Sequence, residues 1–144
     1  YNLLLEPFFV LFTSDEVFAQ DPKYKGKKKD QVGIGRMLTV EYRRVGFKLA
    51  LLADDSVVRA YNELMQFFYK GEHEGLEEQE LMIKTSQWIE LLAQLLLEIR
   101  RSMGNANTDL SNWEMIEWFM SDADKMREMS ANSSFKPRPL RGSA

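Results

Sequence analysis

The stretch Trp88-Ile89-Glu90-Leu91-Leu92-Ala93-Gln94-Leu95-Leu96-Leu97-Glu98-Ile99 constrains this chain more than any other. It is apolar on nearly every side, and a helix of that kind is stable only when neighbours bury it. Glu90, Gln94 and Glu98 recur every four residues and leave one narrow polar strip. The strip predicts a partly solvated bundle helix rather than one embedded in lipid. The expected central helix runs from about Glu77 to Met103, with Leu81, Trp88, Leu92, Leu95 and Ile99 on one stripe. Arg100 and Arg101 fall in its last turn, where cations meet the carbonyl end of the dipole, and Gly104 suits a left-handed cap.

The segments around it are apolar on one side only. Residues 2 to 12 read as a short helix, with Pro7 tolerated near a first turn or kink. Thr13-Ser14-Asp15-Glu16 offers a capping box between Thr13 and Glu16, with Phe12 and Val17 at the staple positions, so a second short helix starts near Ser14 and stops before Asp21-Pro22. Residues 21 to 36 hold Pro22, Gly26, Gly33, Gly35 and five lysines, and are expected to form a Lys-rich loop.

From Met37 to Ala53 the pattern fits two periods. Val45, Phe47, Leu49 and Leu51 alternate like a strand, whereas Leu38, Tyr42, Val45, Leu49 and Leu52 recur like a helix. Helix is preferred, because no partner strand is evident elsewhere. Asp54, Asp55 and Ser56 then start a helix that Gly71 ends. Ser111 with Glu114, and Leu110 with Met115, give the last helix a capping box and a staple. That helix is expected to end near Glu128 or Met129, with Trp113, Ile116, Phe119, Met120, Ala123 and Met126 on its inner side. Residues 130 to 144 are expected to be an extended or disordered tail.

With 144 residues, 44% hydrophobic and 28% charged, the chain has the make-up of one folded domain. The expected fold is therefore all-α, a single-domain bundle of about four main helices over residues 1–129, built around the central helix. A net charge of -3 implies neither a nucleic-acid binder nor an acidic solvating tail. Zero cysteines remove disulfides, thiolate metal sites and cysteine nucleophiles, and fit a reducing compartment. The chain starts at Tyr1 rather than methionine, so sequence upstream is expected to be missing, and a membrane anchor would belong there. The apolar runs of residues 3–5 and 8–12 are too short to span a bilayer.

Motifs with chemical meaning are weak. Gly33-Ile34-Gly35 lacks the third glycine of a dinucleotide fingerprint and the lysine-serine pair of a phosphate loop, and is read as flexible loop. His73 with Glu72, Glu74 and Glu77 is the nearest thing to a metal set, yet a single histidine falls short of a bundle di-metal site. Glu114, Glu117, Asp122 and Asp124 have the spacing of a wet helix face rather than of converging catalytic acids. Ser86, Ser102 and Ser111 lack a histidine partner. No catalytic residue, metal or cofactor is expected.

Binding features are stronger. Lys25, Lys27, Lys28 and Lys29 with Lys23, Tyr24, Arg36, Arg43 and Arg44 read first as a solvated loop that keeps the domain soluble, and in the alternative would meet phosphates on nucleic acid or on an anionic membrane surface. Arg100, Arg101 and Asn105 would form a rigid polar corner that closes the central helix, with presentation of Arg100 or Arg101 to an acidic partner as the alternative. Trp118 lies off the stripe of Trp113, Ile116 and Met120, which marks it as an exposed contact.

Two stretches resemble a group of uncharacterised bacterial helical domains: residues 49 to 62, Leu-Ala-Leu-Leu-Ala-Asp-Asp-Ser-Val-Val-Arg-Ala-Tyr-Asn, and residues 98 to 110, Glu-Ile-Arg-Arg-Ser-Met-Gly-Asn-Ala-Asn-Thr-Asp-Leu. In that group an apolar helix runs into a Ser-Asp-Glu-Val-like helix start. A later helix ends Ile-Arg-Lys-Asp-x-Gly-Asn before a threonine-leucine pair. This chain departs from the pattern at Asp54, Ser56, Arg101 and Ser102. The resemblance implies a helical architecture, often behind an N-terminal membrane segment, and carries no mechanism.

The expected function is a non-enzymatic interaction or regulatory domain on the cytoplasmic side of a bacterial cell, held at the inner face of the membrane if an anchor precedes Tyr1. A protein partner or self-association is expected. The rival reading is nucleic-acid or anionic-surface binding through the Lys-rich loop.

Overall fold

The computed structural model describes residues 1–71, 75–133, 137 and 140. Among them are seven α-helices, three 3-10 turns and no strand. The all-α bundle is what the periodicity predicts. Contacts gather the chain into two compact units, Tyr1–Ala53 and Asp54–Ala144.

Unit 1 is built on α1 (Asn2–Phe12), whose Leu4, Leu5, Phe8 and Val10 are buried. α2 (Asp15–Gln20) follows after a one-residue shift in the expected cap. Ser14, not Thr13, accepts the Val17 amide at 3.4 Å, while the Thr13 hydroxyl donates to the Phe9 carbonyl at 2.8 Å. Thr13 thus closes the helix behind it and leaves the next start to Ser14.

The expected loop over residues 21–36 is corrected by the structure. A 3-10 turn spans Pro22–Tyr24, a bend through Gly26 at φ 76 carries Lys25, Lys27 and Lys28, and α3 (Lys29–Met37) begins inside the lysine run. Two glycines do not break α3, because Gly33 is where it meets α1. A Cβ there would lie 2.8 Å from Leu11 Cγ and 3.3 Å from the Pro7 carbonyl oxygen. Asp30 and Arg36 complement the two ends of the α3 dipole.

α4 (Val40–Leu52) starts at Thr39, whose hydroxyl accepts the Tyr42 amide at 3.2 Å. It buries Tyr42 and Leu49 and packs on α1 and α3. The double periodicity of residues 37–53 has a simple cause. α4 is apolar on its packed side and apolar again on its outer side.

Unit 2 pairs α5 (Asp55–Lys70) with α6 (Glu78–Ser102). α5 offers Val57, Ala60, Leu64 and Met65, and Gly71 follows its last residue. α6 opens with a reciprocal capping box between Glu77 and Glu80 and buries Ile89, Leu91, Leu92, Ala93, Leu95, Leu97 and Ile99. Leu81, expected on its buried stripe, is 50% exposed in the first turn. Gly104, at φ 104, closes α6: its amide bonds the Arg101 carbonyl and the Asn105 amide the Arg100 carbonyl, both at 3.3 Å.

The single helix expected from Ser111 to Met129 is also corrected. Ser111 and Glu114 do bond reciprocally, at 2.7 and 3.3 Å. The chain then runs through two 3-10 turns, Trp113–Met115 and Glu117–Phe119, and becomes α-helical only at α7 (Ala123–Asn132). Residues three apart eclipse in 3-10 geometry, and this sets buried Trp113 and fully buried Ile116 together on the covered side. The tail expected from residue 130 is helical to Asn132, with Ser130 buried. Leu140 is buried too, and its carbonyl accepts from Arg59 Nη1 at 3.0 Å. The rest of that segment, apart from Ser133 and Pro137, lies outside the described residues, as do Glu72, His73 and Glu74 of the supposed metal set.

Candidate functional site

Each unit carries one arrangement of side chains beyond what its core requires. In unit 2 it is the polar strip of α6. Glu90 accepts the Ser130 hydroxyl, Glu98 pairs with Arg101, and Gln94 lies between them with its side-chain oxygen buried and unpartnered. Glu98 is only 3% exposed. The strip is covered at Glu98 and half-buried at Glu90 and Gln94, as a partly solvated bundle helix requires. α7 and the Trp113–Met115 turn pack on α6, and α7 presents Ser130 to Glu90. A cleft of about 480 Å³ remains, lined by Gln94, Glu98, Arg101, Ser111 and Asn112. Its charges answer one another, so it reads as a satisfied seam with one polar atom left over.

In unit 1 the arrangement is the outer side of α4. Val40, Phe47 and Leu51 are 67%, 72% and 82% exposed. At ~3.6 residues per turn they fall in one line along the helix. Arg43 borders that line on one edge and Arg44 and Lys48 on the other, all three exposed. Leu52, 83% exposed, continues the apolar surface toward an open cleft of about 410 Å³ that Tyr1, Leu3, Val45, Lys48, Leu49 and Ala53 also line. Leu38 adds a further exposed apolar side chain before α4 begins.

The residues that the sequence singles out are dispersed. Lys25, Lys27 and Lys28 are exposed on the bend. Lys29 belongs to α3 and is held by Asp15 at 2.9 Å and the Thr13 carbonyl at 3.0 Å. Arg36 also turns inward, paired with Glu6 and donating to the Tyr24 hydroxyl at 2.8 Å. Tyr24 stacks on Phe18 with ring centres 4.9 Å apart. The basic patch expected over residues 23–36 thus gives two of its charges to the internal bracing of unit 1.

Arg100 is exposed, and Asn105 donates its side-chain amide to the Arg100 carbonyl at 3.4 Å, so Asn105 serves the helix end. Arg101 is drawn to Glu98, away from any outside acid. Trp118 is 79% exposed, with its indole N–H donated to the Met115 carbonyl at 3.2 Å. Two of the four acids considered for catalysis have structural partners. Glu114 bonds Ser111, and Glu117 pairs with Arg127. The Ser111 amide, then the Ser111 hydroxyl, with a smaller part from Arg127, hold the Glu114 carboxyl below its ordinary range.

The α4 surface is absent from the sequence-level candidates. The signal was present in the second periodicity of residues 37–53, which marks a helix with two apolar sides. No group of three or more metal-ligating side chains occurs among the described residues. No helix among them is long and apolar enough to cross a membrane. Comparison with protein-family models, curated proteins and solved structures found no match.

Proposed function

We propose that this chain is a non-enzymatic binding module whose contact surface is the outer side of α4. The observation that carries this reading is the line of Val40, Phe47 and Leu51, three large apolar side chains each more than three-fifths exposed on one helix. Isolated exposed apolar residues are ordinary, but an aligned set with charged edges is the pattern of a contact site. The structural use of Glu90, Glu98, Glu114 and Glu117 supports the non-enzymatic part, since each has a partner within the fold.

A photoreactive phenylalanine analogue at Leu51 tests the reading in cells. Irradiation is expected to give an adduct with another macromolecule or with lipid. The same analogue at exposed Asp124 in unit 2 gives none. Equal labelling at both positions, or cross-linking confined to the chain itself, overturns the proposal.

A further inference from the structure

The binding reading leaves open what α4 meets, and three features of unit 1 narrow it. The first is charge. Residues 1–53 hold nine Lys and Arg against six Asp and Glu, whereas residues 54–144 hold ten against sixteen. A nearly neutral chain thus divides into a basic unit and an acidic one, and the exposed apolar line lies on the basic one.

The second is the order of groups around α4. Arginine and lysine stand on both edges of the apolar line, with Glu41 the sole acid on the helix. Long basic side chains beside an apolar strip can extend their charged ends sideways into a polar layer while their stems lie against hydrocarbon. A helix lying in the plane of an anionic bilayer surface has this layout.

The third is size. α4 has 13 residues. At ~1.5 Å per residue it is ~20 Å long, and a strip ~10 Å wide covers ~200 Å². A stable protein interface takes about 800 Å² from each partner. The strip is too small for that, yet large enough to enter a lipid surface when basic groups add attraction to phosphates.

We propose, resting on the binding reading above, that α4 docks unit 1 on an anionic lipid surface: Val40, Phe47 and Leu51 enter the boundary between headgroups and acyl chains, and Arg43, Arg44 and Lys48 face the phosphates. Attachment is peripheral, with α4 parallel to the bilayer. Neutral lipid gives weak binding, because the apolar line alone is short.

The test uses the full chain and vesicles of phosphatidylcholine with or without phosphatidylglycerol. Co-sedimentation is expected with the anionic vesicles and to fall as salt is raised. Replacing Arg43, Arg44 and Lys48 together by Gln lowers the affinity roughly a hundredfold, at about fivefold per basic group. F47S with L51S lowers it roughly thirtyfold or more, with an unchanged helical circular-dichroism spectrum. Lys25, Lys27 and Lys28 replaced by Gln leave it within about threefold. Because the chain has no cysteine, L51C can carry a single environment-sensitive dye, whose emission is expected to brighten and shift to the blue on anionic vesicles, whereas the dye on K27C stays unchanged.

Absence of binding to the anionic vesicles overturns this inference, as does binding that the lysine-bend variant abolishes and the α4 variants spare. If vesicles do not bind but the photoreactive residue at position 51 captures a protein, the lipid assignment falls and the binding reading stands. If vesicles do not bind and no intermolecular adduct forms, both fall.

Discussion

The Tyr42 hydroxyl donates to the Leu4 carbonyl at 2.9 Å, joining the first turn of α4 to the first turn of α1 across 38 residues. Pro7 has no N–H for the Leu3 carbonyl, so α1 is weakened one residue before the point that Tyr42 grips. Y42F keeps the ring and removes the bond. It is expected to destabilise the chain by about 1 kcal/mol, read as a lower denaturant midpoint with an unchanged slope.

Two glycines in α3 make opposite predictions from the same substitution. At Gly35 an added Cβ meets nothing within 4 Å. G35A is expected to stabilise by roughly 0.5–1 kcal/mol through helix propensity. At Gly33 the Cβ would press on Leu11 and the Pro7 carbonyl, so G33A is expected to destabilise by about 1–3 kcal/mol despite the same gain in propensity. Thermal unfolding of the two variants side by side checks the sign of each. A stabilised G33A would show that α1 and α3 pack less closely than described.

The polar strip of α6 gives a third prediction. Gln94 carries a buried side-chain oxygen without a partner. Q94M fills a similar space without that oxygen and is expected to raise stability by about 1 kcal/mol. R101A, by contrast, removes a counter-charge from nearly buried Glu98 and is expected to destabilise by about 1–3 kcal/mol. Denaturant titration of both variants separates a group the strip needs from one that burdens it.

Glu114 predicts a pH dependence. Its carboxyl is held below the ordinary glutamate range by the Ser111 amide and hydroxyl and by Arg127. A group whose pKa is depressed on folding contributes stability above its unfolded pKa and loses it as pH falls through the folded one. Its share of stability is therefore present at neutral pH and disappears in acid. Carbon-detected titration of the Glu114 carboxyl should give a value below that of a free glutamate, and S111A should move it up. A midpoint unmoved by S111A would remove the Ser111 hydroxyl as a cause and leave the shift to the Ser111 amide, which the variant keeps.

Much of this architecture can be read from the residues, for local reasons. The central helix, its capped exit at Gly104 and the Ser111–Glu114 box depend on groups within a few positions of one another, and all three occur. Other features depend on contacts between distant segments. Gly33 looks like a loop residue until Leu11 is brought against it, and the Ser111–Glu114 box promises a long helix until Trp113 and Ile116 must share one side. The internal pairing of three candidate binding groups depends on the fold in the same way. Lys29, Arg36 and Arg101 are cations that the fold pairs with Asp15, Glu6 and Glu98, partners whose proximity the spacing of the lysines and arginines leaves unstated for the first two. The outer side of α4 is hidden in the sequence because a helix with two apolar sides shows a strand period and a helix period at once.

The polar strip of α6 also governs how unit 2 assembles. A cylinder coated evenly in leucine would accept the segments that follow it at many angles of rotation, all of similar energy. Glu90, reaching Ser130 across 40 residues, turns that smooth cylinder into a keyed shaft. The seating that brings Ser130 to Glu90 is favoured over those that would cover the carboxylate with hydrocarbon. Specificity of assembly thus comes from the few polar groups on a helix otherwise rich in leucine.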